Sequence, residues 1–476
     1  MRNLTHNTTA VSTRVKASRP RFIEKHEPAS LSEVWGKRLI ALQVVLWPVT
    51  LLAGFDAVLL VLNLAGLILA VTGLRWRGVG LLGVALLCTL DALTRNFLAT
   101  GGLWRWNTLN YWLVLVILIN ITSVLKFNDV HTRLLQALLV LMVLMLSISL
   151  IFNTGVQDVL NIATSFGIIV YFMLVLREKH ALYWMGLVCG MAGFLGGAMY
   201  YLQIESLRYV NPNSWAQFPL TALFAICLAM PSAVKEKKGR LIFLFLAVVN
   251  LVWIFLSGSR GSLLTAFVCM LYLVVMLRSF TWRTLFIGIG LVSLYLLSNF
   301  LLDQQLTAIH RFEKMFNQSY TLAERTSGRS ELIETGIKIF QEQPLGIGTG
   351  SFRFGAGYLN ILGGQSQPAH SAWIKVLAEN GILGFLLLTG WVISFLIVGM
   401  RSNDDDRKAI GILTTIVLAV SFISKEFQGK DLWFLVAGTI VYLHPERYLT
   451  YMEVDFRRKR RRWRRLEAAI NEPDDG

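Results

Sequence analysis

Three basic residues in the second half of the chain have the side chains that group transfer from an anionic donor requires. Arg260 and Arg329 carry guanidinium groups, whose planar fork can hold two oxygens of a phosphate. His370 carries an imidazole, which near neutral pH can take a proton from an attacking hydroxyl. On position alone, ordinary roles stay open: Arg260 as a charge at the lipid headgroups, Arg329 as a solvated charge, and His370 as a structural residue. Arg325 could bind an anion as well as Arg329.

Other chemistry is not indicated near these positions. No second histidine or carboxylate stands at metal-ligand spacing from His370, so we expect no metal, and no cofactor is expected either. The glycines of residues 346–350 lack the Lys-Ser/Thr that follows in a phosphate-binding loop, which predicts a simple turn. The cysteines lie in apolar runs without paired spacing, which predicts packing rather than disulfide or zinc chemistry: Cys88, Cys189, Cys227 and Cys269.

The elements that must position these residues are membrane helices. The chain has 476 residues, of which 55% are hydrophobic and 16% charged, with a mean hydropathy of +0.56. Apolar runs of about 17 to 22 residues recur, the length that crosses a bilayer as a helix, so we predict an all-α polytopic bundle of about 12 to 14 spans. The candidate spans lie near 38–53, 56–74, 78–94, 109–125, 131–152, 158–176, 181–201, 215–232, 241–257, 261–277, 284–302, 373–400, 409–424 and 432–443.

The distribution of Lys and Arg predicts the orientation, because basic residues are retained on the cytoplasmic side. It predicts a cytoplasmic basic tail at 1–37, membrane spans over 38–302, a large periplasmic loop at 303–372, further spans over 373–443 and a second cytoplasmic basic tail at 444–476. The basic run in the last tail suits anionic lipid headgroups better than nucleic acid, and the net charge of +16 is therefore mainly a topology signal.

The predicted loop of about seventy residues is far longer than an ordinary connection, which indicates a functional segment. Within it, residues 329–340 are predicted to form an amphipathic helix that ends before Pro344. We expect one face of this helix to be apolar, formed by Leu332, Ile333, Ile337 and Phe340. With this topology, all three candidate residues lie at the periplasmic side.

Several short motifs resemble those of the O-antigen ligase and Wzy-type polymerase superfamily of bacterial envelope glycosyltransferases. Residues 370–384 contain His-Ser, nine residues and then Gly-x-x-Gly, which is the most specific of them. Residues 257–261, Ser-Gly-Ser-Arg-Gly, resemble the family's Ser-Arg segment, and residues 327–348 resemble an arginine that opens a helix ending in Pro-x-Gly-x-Gly. Asn-Pro-Asn at 211–213 also resembles a family segment. The resemblance is strongest over residues 205–400.

The resemblance implies a metal-independent transfer from a glycan linked to undecaprenyl pyrophosphate. Arg260 and Arg329, helped by Arg208, would then hold the pyrophosphate and neutralise the charge that develops as it leaves. His370 would accept the proton of the acceptor hydroxyl. The carboxylates that could act as the base instead are Glu324, Glu331 and Glu379.

The motifs do not identify the acceptor. We favour a polymerase of O-antigen or exopolysaccharide repeat units in the inner membrane, acting on an acceptor glycan. An O-antigen ligase that uses lipid A-core and a protein O-oligosaccharyltransferase stay open, as does a lipid or polysaccharide transporter from a different class. The expected partners are the lipid-linked glycan, its acceptor, membrane lipids and polysaccharide export or chain-length proteins, without nucleic acid.

Overall fold

The structure is a computed structural model. It describes residues 31–72, 77–97, 130–149, 166–172, 179–202, 212–233, 237–277, 281, 283–284, 287–288, 329–352, 369–425 and 430–444. Arg208, Glu324 and the candidate span near 109–125 lie outside these residues, as do most of the two predicted basic tails and most of the spans near 158–176 and 284–302.

The described residues form helices and no strands, which confirms the predicted all-α bundle. The helices are α1 (Leu31–Ala53), α2 (Phe55–Thr72), α3 (Arg77–Phe97), α4 (Val130–Ser149), α5 (Lys179–Leu202), α6 (Pro212–Ala233), α7 (Lys237–Leu256), α8 (Arg260–Met276), α9 (Arg329–Glu342), α10 (Ala372–Met400), α11 (Asp405–Ser424) and α12 (Lys430–Leu443).

Seven of the described helices are long and apolar enough to span a membrane, namely α1, α2, α5, α6, α7, α10 and α11. Shorter apolar segments occur in α3, α4, α8 and α12. Helix α6 is apolar on all sides and almost entirely buried, as expected of a helix at the centre of a bundle. It packs against α3, α5, α7, α8 and α12.

Helices α10 and α11 form an antiparallel hairpin. The chain turns over residues 401–404, and the carboxylate of Asp404 caps α11 by accepting a hydrogen bond from the N–H of Asp406 at 2.9 Å. Near this turn the two backbones touch, since a Cβ built on Gly399 would lie 3.0 Å from Cα of Gly411. The other end of the hairpin, where α10 begins and α11 ends, lies next to His370 and is called the site end.

Helix α10 is broken at Gly381, whose backbone has φ 63° and ψ −163°. The turn that follows α9 fits into this break. Three backbone hydrogen bonds join the two segments: Ile347 N–H to Ala378 O at 3.0 Å, Gly348 N–H to Glu379 O at 2.9 Å, and Ile382 N–H to Pro344 O at 3.0 Å. The Pro-x-Gly-x-Gly and Gly-x-x-Gly motifs, which lie more than thirty residues apart, therefore form one interlocked unit.

Candidate functional site

Helix α9 runs parallel to the first turns of α10 and brings Arg329 to the site end. Gly336 allows close contact, because a Cβ built there would lie 2.1 Å from Ile374. The helices share a small buried core made of Leu332, Ile339, Phe352, Ala369 and Ala378. Since the end of α9 meets the break at Gly381 and its middle meets Ile374, its first residue lies at the level where α10 begins.

The buried face of α9 differs from the one predicted. Leu332 is buried as expected, but Thr335, Gly336 and Ile339 complete the face, while Ile337 is exposed. The structure follows the helical spacing of positions i, i+3, i+4 and i+7 from Leu332. Glycine has no apolar side chain, so hydrophobic spacing does not predict Gly336 in the buried face, although its missing side chain permits the contact with Ile374.

Buried polar side chains hold residues 344–352 against the neighbouring helices. The carboxylate of Glu379, which is 1% exposed, accepts the N–H of Phe352 at 3.1 Å. The amide of Asn380 donates to the hydroxyl of Thr349 at 2.8 Å, and that hydroxyl donates to the carbonyl of Met142 at 2.9 Å. These contacts fasten the 344–352 segment to both α10 and α4.

Glu379 is therefore a poor alternative to His370 as the base. Its carboxylate is buried against the backbone of Phe352 and lies roughly 10 Å along α10 from Ala372, at about 1.5 Å per residue. Glu331, another alternative, is exposed in the first turn of α9, two residues after Arg329.

Arg260 is the first residue of α8 and is partly exposed. The preceding Ser259 occupies the N-cap position, but its side chain makes no capping hydrogen bond. Instead, the hydroxyl of Ser257 accepts the N–H of Ser259 at 3.1 Å and shapes the short connection from α7. The guanidinium of Arg260 thus stands beside a helix terminus whose N–H groups carry partial positive charge.

Arg260 and Arg329 lie within electrostatic reach of each other although they are far apart in the sequence. Partial burial, and secondly the positive charge of Arg260, lower the pKa of Arg329. Two cations held together in this way repel each other. A bound anion would relieve this repulsion, so the pair is suited to a phosphate group.

His370 precedes α10 and has an exposed side chain. Its backbone has φ 51°, which is the left-handed region that a non-glycine residue seldom adopts. The residues that follow it hold this conformation. The hydroxyl of Ser371 donates to the carbonyl of Phe422 at 3.0 Å, and the N–H of Ala372 donates to the carbonyl of Lys425 at 2.9 Å.

Three helices therefore begin around the predicted site residues, α8 at Arg260, α9 at Arg329 and α10 just after His370. Their termini add partial positive charge to the two guanidinium groups, which makes the site end attractive to an anion. In the part of the chain that the structure describes, no group of three or more histidine, cysteine or acidic side chains could hold a metal ion. The four cysteines are buried, as their apolar surroundings predict.

The site end of α11 and the Lys425 that follows it, residues 421–425, were not predicted from the sequence as part of the site. This segment contacts both α8 and α10, and it contains Lys425, a further basic residue beside the start of α10. Serines at the end of an apolar run are a weak signal, because serine is also common where helices simply pack closely. Only the contacts identify this segment as part of the site.

Two comparisons with known proteins bear on these residues. Residues 242–389 match the family model described as O-antigen ligase. The match includes Arg260, Arg329 and His370, together with the break at Gly381, and it excludes Arg208 and α11. A search of curated proteins found no match for the chain.

Proposed function

From the resemblance to the O-antigen ligase superfamily, which the match over residues 242–389 confirms, we propose that this multi-pass membrane protein is a glycosyltransferase. It moves a glycan from undecaprenyl pyrophosphate to an acceptor hydroxyl at the periplasmic face of the inner membrane. The observation that carries the proposal is the grouping of Arg260 and Arg329 where three helices begin, with His370 at the same end.

In the proposed reaction, Arg260 and Arg329 bind the pyrophosphate of the donor. His370 takes the proton from the acceptor hydroxyl, whose oxygen attacks the anomeric carbon. As the new C–O bond forms, the bond between that carbon and the pyrophosphate oxygen breaks, and the electron pair leaves with the pyrophosphate. The two guanidinium groups stabilise this developing charge more strongly than water would, because the site is partly buried. Arg208 is a further candidate for the same phosphates.

Single alanine substitutions of Arg260, Arg329 and His370 test this proposal. Each variant is expressed at matched levels in a deletion strain of the source organism, and surface polysaccharide is separated on gels for both lipid A-linked and free glycan. Arg401→Ala is the matched control, since this exposed arginine lies at the opposite end of α10. We expect a loss of about 100-fold or more for each site variant, the usual effect of removing one transition-state contact or general base.

The products also identify the acceptor. A core that carries one repeat unit would indicate the polymerase that we favour, whereas bare core with accumulated long lipid-linked chains would indicate a ligase. Wild-type polysaccharide in all three site variants would contradict the proposed mechanism and favour a transporter.

A further inference from the structure

We infer that the site end of α11 and the residue that follows it, Ser421–Lys425, form a platform that fixes the position of Arg260 relative to His370. Gly261, Ser371 and Ser424 are then positioning residues for the transfer reaction. This inference rests on the proposed function of Arg260 and His370. It extends the site to a helix outside the matched residues 242–389.

One side of the platform holds the start of α8. The hydroxyls of Thr265 and Ser421 are hydrogen-bonded at 3.0 Å. One turn earlier, Gly261 lies directly against Ser424, since a Cβ built on the glycine would stand 2.1 Å from Oγ and 2.8 Å from Cβ of the serine. Because Arg260 is the residue before Gly261, this contact sets the position of the Arg260 backbone, from which its side chain extends.

The other side of the platform holds the residues that follow His370. Ser371 and Ala372 bond to the carbonyls of Phe422 and Lys425, and the indole N–H of Trp373 donates to the carbonyl of Ala419 at 3.1 Å. Three consecutive residues are thus attached to α11. These contacts hold His370 in its left-handed backbone conformation, which a non-glycine residue seldom adopts.

Among the described helices, α11 packs against both α8 and α10 and so links Arg260 to His370. The main packing partners of α8 are α11, α6 and α7, while α10 packs chiefly on α11, α4 and α9. The residues of α11 that touch both helices therefore set the distance between Arg260 and His370. Transfer chemistry requires such control, because the base and the phosphate-binding groups act on the same reacting centre.

The close contact at Gly261 provides a direct test. In Gly261→Ala, rotation of the Ser424 hydroxyl removes only the contact with Oγ, and the overlap with Cβ at 2.8 Å persists. The start of α8 must then move away from α11. A displacement of about 1 Å is expected to lower kcat about 100-fold, with a much smaller change in the KM for the donor.

Ser424→Gly removes both atoms of the overlap and should therefore restore activity to Gly261→Ala. The proteins are purified in detergent and supplied with lipid-linked glycan and acceptor extracted from membranes of the deletion strain, and kcat and KM are measured. We expect the double variant to be at least about tenfold more active than Gly261→Ala alone, which is a coupling of about 1.4 kcal/mol. Gly390→Ala is the control, because a Cβ there meets no atom of the described residues within 4 Å.

A second pair of variants tests the attachment of α10. Ser371→Ala loses the hydrogen bond to Phe422 and should lower kcat, whereas Ser371→Thr keeps a hydroxyl and should recover most of the activity. The inference is wrong if Gly261→Ala keeps the wild-type kcat, or if Ser424→Gly fails to relieve it. If either result is found while Arg260→Ala and His370→Ala are inactive, the proposed function stands. If Arg260→Ala and His370→Ala are themselves active, the proposed function is wrong.

Discussion

Replacing Gly381 with alanine should separate the loop helix α9 from α10. At φ 63° and ψ −163°, Gly381 occupies a region that is almost restricted to glycine, so an alanine adds a strain of about 1 to 3 kcal/mol. A Cβ at this position would also lie 2.4 Å from the carbonyl oxygen of Pro344. The inserted turn cannot keep its place beside such an atom.

The magnitude follows from what the displaced turn loses. Three backbone hydrogen bonds join the turn to the break, and each contributes about 1 kcal/mol net. The loss of these hydrogen bonds and part of the backbone strain together destabilise the docked state of α9 by about 4 kcal/mol. A change of this size alters the docking equilibrium by roughly three orders of magnitude, and Arg329 would leave the site with its helix.

Limited proteolysis of purified protein in detergent measures this effect. Lys338 is exposed on α9 and is a trypsin site that a docked helix protects. Cleavage after Lys338, followed by mass spectrometry, should be much faster in Gly381→Ala, and transfer activity should be lost in parallel. Gly390→Ala, in the same helix but without an atom of the described residues within 4 Å of the added Cβ, should behave as wild type. Equal cleavage rates and activities in the two variants would refute the role assigned to the interlocked turn.

Two further predictions concern the site residues. Glu379→Gln keeps an oxygen that can accept the N–H of Phe352, so transfer activity should stay within about tenfold of wild type in steady-state assays; a loss comparable to that of His370→Ala would make the carboxylate the base. Arg329→Lys should make donor binding sensitive to alkaline pH. Burial and the neighbouring arginine lower the pKa of a cation at this position, and a lysine begins from only about 10.4, so its charge is lost as the pH rises. The donor KM of this variant should increase between pH 7 and 10, while a flat profile like that of wild type would contradict the electrostatic argument.

The helical class and most described helix positions follow from the sequence because bilayer spans are set by local composition. An apolar run of sufficient length must satisfy its backbone hydrogen bonds within itself, whatever its neighbours are. The spans predicted near 241–257, 373–400 and 409–424 accordingly correspond to α7, α10 and α11. The spans that fall outside the described residues stay predictions, as do the orientation and the role of Arg208.

The candidate residues Arg260, Arg329 and His370 were also identified from the sequence, through their side-chain chemistry and motif spacing. Their arrangement in space could not be predicted from the sequence, because it depends on contacts between distant segments. The fit of Gly346 into the break at Gly381 depends on two backbones that approach closely, and each glycine alone predicts only a turn.

Tertiary structure alone decided which residues support the site. The sequence predicts an all-α membrane protein and indicates two arginines and a histidine as candidate site residues, since hydropathy and charge are properties of the residues themselves. It did not reveal that α11 joins the two parts, because the donated hydrogen bonds from Ser371 and Ala372 end on backbone carbonyls. Every residue has such a carbonyl, and only the fold determines which of them meet the site.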